Sequence, residues 1–188
     1  MWYGWTTITA PTEEPVTLTE AKAYLRIDVA TEDATLTAMI TAARQWLENI
    51  LRQSLVTRTL EHRLDAWPVV AYRLPQGPVQ SITSITYIDA DGVSGTVDAS
   101  QYTLVDGRLL LANNDAAWPS VSLRSQAGVA VRYVAGYGAA AAVPQDLKLY
   151  VLAYLATQWF SRDELANDSE RQITRLETAI RGLYGREL

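Results

Sequence analysis

The sequence contains no cysteine, which removes disulfides, thiolate metal sites and a cysteine nucleophile and fits a reducing compartment. It contains one histidine, His62, so any catalytic triad or imidazole metal site has to be built around that residue. Positive charge is not in excess either. The 16 Lys and Arg stand against 21 Asp and Glu, a formal net charge of -5, which sets the surface as a whole against nucleic-acid phosphate and disfavours a dedicated DNA-binding module. Long apolar runs are missing: the most apolar window, residues 147–160, is too short to cross a bilayer and is interrupted by Lys148, Gln158 and tyrosines. No membrane anchor is expected. Residues 1–7 have neither the basic region nor the continuous apolar stretch of an export signal, and beyond four alanines at 139–142 there is no repeat or low-complexity tract.

What is present is ordinary for a folded protein, with 188 residues, 48% of them hydrophobic and 20% charged. That length suits one domain, or a compact helical body carrying a sizeable insertion. Residues 1–16 hold Trp2, Tyr3, Trp5, Pro11 and Pro15 without a helical or strand period, and read as an extended aromatic arm. Two uses of the arm stay open: capping the protein's own core, or docking on another subunit.

Thr17-Leu18-Thr19-Glu20 has the capping-box spacing and predicts a short helix to about Arg26, with Leu18, Ala21, Leu25 and Tyr24 on its apolar face. Thr31 or Asp33 is expected to cap the next helix, about 32–53. There Leu36, Met39, Ile40, Ala43, Leu47, Ile50 and Leu51 recur at three and four, opposite Thr37, Thr41, Arg44, Glu48 and Arg52. Trp46 borders the stripe. From Leu55 the period becomes two, with Val56, Arg58, Leu60, His62 and Leu64 on one face of a half-buried strand. Residues 74–78 form a turn, and 79–89 have strand composition closing on Asp89-Ala90-Asp91-Gly92. Residues 101–111 are a hairpin around Asp106-Gly107, the pair a type I′ turn prefers. Residues 121–124 read as a short strand and 128–134 as a stronger one. Pro144 opens a helix to about Ser161, and Ser169 caps a last one in which Ile173, Leu176, Ile180 and Leu183 follow an a/d-like spacing.

The fold class is therefore α+β. It comprises an arm (1–16), a helical body of two N-terminal and two C-terminal helices (17–55 plus 139–188), and a central antiparallel β module inserted at 56–138.

Few constellations carry chemistry. Gly136-x-Gly138-x-x-Ala141 matches a dinucleotide fingerprint in form, but Pro144 delays the helix and no parallel βαβ unit surrounds it, so it reads as the exit from the β module. Asp89-x-Asp91-Gly92 lacks the later ligands of a calcium loop and reads as a turn. A hydrolase organised on His62 would need Ser54 or Ser81 with Asp65, none of them in a nucleophile elbow. No catalytic, cofactor-binding or metal-binding residue is assigned. What remains is surface aromatics: Trp2, Tyr3, Trp5, Trp67 and Trp118 are candidates for subunit interfaces. Trp67 and Trp118 also keep open a carbohydrate- or surface-binding module.

The segment Pro15-Val16-Thr17-Leu18-Thr19-Glu20-Ala21-Lys22-x-Tyr24-Leu25-Arg26-Ile27, followed by Asp33-x-x-Leu36-x-x-Met39-Ile40-x-Ala42-Ala43-Arg44-x-Trp46-x-Glu48, resembles the head-tail connector (adaptor, or head completion) family of long-tailed bacteriophages. So do Tyr133-x-Ala135-Gly136-Tyr137-Gly138, Val143-Pro144-x-Asp146-Leu147-Lys148, and Trp159 to Glu164. The resemblance implies a structural virion protein at the head-tail interface, assembled in the bacterial cytoplasm. It implies a ring of roughly twelve copies beneath the portal protein, closed by heterologous contacts. Such a ring extends the DNA channel, lets double-stranded DNA pass without specific binding, and offers a platform to a neck or tail-completion protein. By the same analogy the segment from Ser169 onward is the portal-docking candidate, through Ile173, Leu176, Ile180, Arg181, Leu183, Tyr184 and Arg186. Gly136 and Gly138 are the candidate hinge between β module and helical body.

Overall fold

The computed structural model describes residues 4–68, 71–112, 117–161 and 167–184, the side chains of 167–169 excepted. Trp2, Tyr3 and Arg186 lie outside the described residues. The chain divides into a β unit, Met1–Thr12 with Thr57–Tyr137, and a helical unit, Glu13–Val56 with Gly138–Leu188.

In the helical unit the Thr17 hydroxyl accepts from the Glu20 N–H at 3.1 Å, and the Glu20 carboxylate accepts from the Thr17 N–H at 2.7 Å. Both halves of the capping box are therefore made, and helix α1 spans Leu18–Leu25. Helix α2, Asp33–Leu51, buries Leu36, Ile40, Ala43, Leu47 and Leu51 at the expected spacing. Its cap differs from expectation. Glu32 occupies the N-cap position without a side-chain capping hydrogen bond, and the Asp33 carboxylate is taken by Lys22 Nζ at 2.7 Å.

The polar face of α2 also differs. Arg44 and Glu48, expected toward solvent, are buried. They are neutralised in place: Arg44 donates to Glu48 at 2.8 Å and to Glu14 at 2.7 Å, and Glu48 accepts the Leu55 N–H at 2.9 Å. Burial pulls the Arg44 guanidinium toward neutrality, but Glu14 and Glu48 outweigh it and hold the group charged.

Helix α3, Gln145–Phe160, packs on α2 through Leu147, Val151 and Leu155, and its Tyr154 stacks on Trp46 at 4.1 Å. Pro144 is one residue ahead of α3, at the N-cap. Helix α4, Asn167–Tyr184, begins two residues before Ser169, so that residue is inside the helix rather than capping it.

The β unit holds a five-stranded antiparallel sheet. Its strands are β1 (Trp5–Thr9), β2 (Arg58–Leu64), β4 (Val79–Ile88), β5 (Ser94–Thr96) and β8 (Val129–Ala135), in the order β1-β2-β8-β4-β5. A smaller sheet orders β3 (Tyr72–Arg73), β7 (Leu109–Ala112) and β6 (Tyr102–Val105) as β3-β7-β6. Four helices and antiparallel sheets among the described residues make the fold α+β, as expected. Strand β8 is central, and its alternation sends Val129, Val131, Tyr133 and Ala135 inward against Leu60, Ile85 and Leu110.

Part of the supposed arm is thus a strand. Trp5 sits opposite His62 and Thr7 opposite Leu60. The β-branched run Thr6-Thr7-Ile8-Thr9 pairs readily once β2 offers an edge, although alone it shows no alternation of burial. Residues 121–124 contribute only an isolated bridge, Leu123 to Asp89. The hairpin is as expected, with Asp106 at φ 50° and Gly107 at φ 59°, the left-handed pair of a type I′ turn.

Removing one member of the buried ion pair leaves the other charge stranded. Glu48→Ala is expected to lower the unfolding free energy by about 3 kcal/mol or more in a denaturant titration. An unchanged midpoint and slope would show that the pair does not hold α2 in place.

Candidate functional site

Among the described residues no group of His, Asp and Glu side chains is placed to hold a metal, and no helix is long and apolar enough to cross a membrane. His62, on the inward face of β2, is fully buried. Its Nδ1 is 2.7 Å from the Gly4 carbonyl and its Nε2 is 2.7 Å from the Tyr72 hydroxyl. A carbonyl only accepts, so Nδ1 carries the proton and Nε2 accepts from Tyr72. Both ring nitrogens are thereby committed to structure. Burial pushes the imidazole below its ordinary value of 6.5, against the weaker pull of the Gly4 carbonyl. The nitrogen that a serine hydroxyl would need, Nε2, is engaged by the Tyr72 hydroxyl.

Trp67 and Trp118 come together, as sequence distance alone did not suggest. Their rings stack at 5.4 Å, 5° from parallel, and Tyr87 meets Trp67 edge-on at 5.5 Å. The Trp118 indole donates to the Pro68 carbonyl at 2.7 Å, and both tryptophans lie against the β core. Each therefore gives one ring face to the other and packs inward, a corner of the core rather than a flat platform for a sugar. Trp5 is likewise half-buried, with the Arg58 guanidinium 5.1 Å over its ring.

The outer face of the large sheet carries a charged cluster that the strand period only hinted at. Glu61 accepts from Arg63 at 2.9 Å and from Arg132 on β8 at 2.7 Å. Burial pushes its carboxyl up, but the hydrogen bonds from Arg132 and Arg63 prevail and hold it below the ordinary range. A cleft of about 140 Å³ beside it is lined by Glu61, Arg63, Tyr87, Arg124 and Gly128. The Arg124 guanidinium is spent on the Gln126 and Ala127 carbonyls.

Gly136 (φ 123°) and Gly138 (φ 136°) both have backbones that side chains resist, and a Cβ on Gly138 would meet Ala142 at 2.9 Å. Gly136 is pinned in the β unit: its N–H donates to Pro78 and its carbonyl accepts from Gln80, each at 2.8 Å. In the helical unit the Ala140 N–H, in the stretch where a phosphate cradle would stand, donates to the Glu13 carboxylate at 2.8 Å. An anion site is thus already filled by the protein's own anion. Asp89 closes a turn by accepting from the Asp91 and Val93 N–H groups.

The α4 candidates separate into two sets. Ile180 is 0% exposed and belongs to the core, and Ile173 and Leu176 are half-buried. Arg181 is exposed and Leu183 is 67% exposed, while the Tyr184 hydroxyl donates to the Asp146 carboxylate at the start of α3. Sequence reasoning missed a second exposed set, Leu149 and Phe160 on α3. The available signal was the absence of any charge from 149 to 160.

The chain matches the family model described as Head completion protein over residues 14–172. It is similar to a solved chain in the neck of an empty gene transfer agent particle computed with C6 symmetry, at 26% identity and a TM-score of 0.75. It is also similar to chains in the virion of the native gene transfer agent particle (27%, 0.72) and in the neck of the native particle computed with C12 symmetry (26%, 0.66). Each similarity covers 92% of this chain and 94% of the other. No curated protein matches the sequence.

Because His62 is the one histidine, its NMR signals are unambiguous. The expected result is a neutral Nδ1–H tautomer with a titration midpoint below 6.5. Since the folded value is depressed, the contribution to stability is complete above 6.5 and is lost as pH falls through the folded value. A midpoint at or above 6.5, or an Nε2–H tautomer, would contradict the buried hydrogen-bonded ring.

Proposed function

The chain belongs to the head completion protein family, and from that premise we propose that it is a neck subunit that assembles as a ring beneath the portal. Its role is structural: it completes the head after packaging, continues the DNA channel and presents a platform to the next neck or tail-completion protein. The observation that carries this reading is the likeness to neck chains over 92% of this chain, in particles whose necks were computed with C6 and C12 symmetry. A ring of roughly twelve copies closed by heterologous contacts fits that symmetry.

The charge balance supports the reading. A net charge of -5 suits a conduit through which DNA slides without adhering. The portal-docking surface is the solvent side of the last turns of α4, where Arg181 and Leu183 are exposed while Ile180 faces inward. Gly136 and Gly138 sit at one passage between the units, where conformational freedom would let a subunit adapt to its place in the ring.

Deleting the whole of α4 would strip Ile180 from the core and confound folding with docking, so point changes are the cleaner test. Arg181→Glu with Leu183→Asp is expected to weaken binding of the full chain to the portal ring of the same particle by about tenfold or more, with an unchanged thermal midpoint. Wild-type binding by this variant would remove α4 from the docking surface. A wild-type chain that ignores the portal at micromolar concentration, and is missing from the particle neck by cryo-EM, would remove the function itself.

A further inference from the structure

Helix α3 has two apolar faces and packing within the helical unit covers one. Leu147, Val151 and Leu155 are fully buried on the inner side. Leu149 lies about 200° round the axis from Leu147, at 100° per residue. Leu149, Ala153, Ala156 and Phe160 then follow at steps of four, three and four, which places them on one outer stripe. Leu149 is 50% exposed and Phe160 62%, with the two alanines half-buried between them. The twelve residues from Leu149 to Phe160 include no charged side chain. Surface helices keep a polar outer face, and a helix that is apolar all round is a buried helix. In this subunit alone the outer stripe of α3 has the composition of a buried face, while its two large ends, Leu149 and Phe160, are half or more exposed. Large apolar ends flanking two small residues form a shallow trough that another backbone can approach closely.

We propose that a second copy of the chain closes this face in the ring, meeting it with the exposed end of α1 and the turn that follows, at Tyr24 and Val29. The proposal rests on the neck-ring reading above. A heterologous ring requires two different patches on every subunit that fit each other. Among the described residues of the helical unit, the large exposed apolar side chains outside α3 are Tyr24, Val29 and Leu183. Leu183 lies in the portal-docking turn, and Ile8 and Val93 are single exposed residues of the β unit, whereas Tyr24 and Val29 lie five residues apart at the end of α1 and form the complement. The lack of charge on the trough also favours a permanent contact between copies, since the buried centres of such interfaces are depleted in charged residues.

The cysteine-free sequence makes the test direct. Full-length Ala156→Cys and Val29→Cys chains are prepared separately, mixed, assembled on the portal ring and treated with a short bismaleimide. Cross-linked pairs are expected from the mixture after assembly, and not from either variant alone or from the unassembled mixture. In parallel, Leu149→Asp with Phe160→Asp is expected to reduce ring formation about tenfold or more, while circular dichroism melting of the free subunit is unchanged because both side chains are exposed. Rings that form without the mixed cross-link, or equally well from the aspartate variant, overturn the proposal and leave the neck reading standing. A wild-type chain that forms no ring overturns both.

Discussion

The helical unit depends on a carboxylate kept out of water. Glu48 is buried in the middle of α2's contacts, with one oxygen on the Arg44 guanidinium and the other on the Leu55 N–H. Such a pair adds little net stability over an apolar replacement of equal volume, because desolvation offsets most of the attraction. Its contribution is positional. Leu55 lies just before the chain passes to the β unit at Thr57. Arg44 also binds Glu14, just after the chain arrives from the β unit at Glu13. Glu13 in turn accepts the Ala140 N–H, close to the third passage at Gly138. Each of the three passages is therefore fixed on the helical side by an acidic side chain.

The β unit gathers the same passages by register. Strands β1, β2 and β8 run antiparallel in that order, so the end of β1, the start of β2 and the end of β8 fall at one end of the sheet. Thr9 pairs with Thr59 and Arg58 with Ala135 there. The Gln80 amide then donates to both the Thr57 hydroxyl and the Gly136 carbonyl.

The elements with strong local signals were legible in the sequence: the α1 capping box, the α2 stripe and the Asp106-Gly107 turn each have a cause within a few residues. Errors arose where a distant partner decides. Arg44 and Glu48 follow a solvent-face pattern, and only Glu14 and the Leu55 N–H make their burial tolerable. Strand β1 has no period of its own because an edge strand takes its order from β2. The stacking of Trp67 on Trp118 joins residues far apart in sequence and sets two half-buried tryptophans against the β core.

Spacing also cannot say where a seam ends. Ile173, Leu176, Ile180 and Leu183 follow one repeat, yet Ile180 is 0% exposed and Leu183 67%. The contact between Tyr184 and Asp146 sets the last turn of α4 beside the first turn of α3. The seam between α3 and α4 is therefore running out at the level of Leu183, which continues the pattern without a neighbour to receive it. On α3 the converse holds. A single inner stripe accounts for Leu147, Val151 and Leu155, and the residues between them pass as filler until their exposure is known. An apolar repeat that outruns its partner and a helix with one apolar face too many are the same kind of signal. Each is surface that subunit folding leaves uncovered.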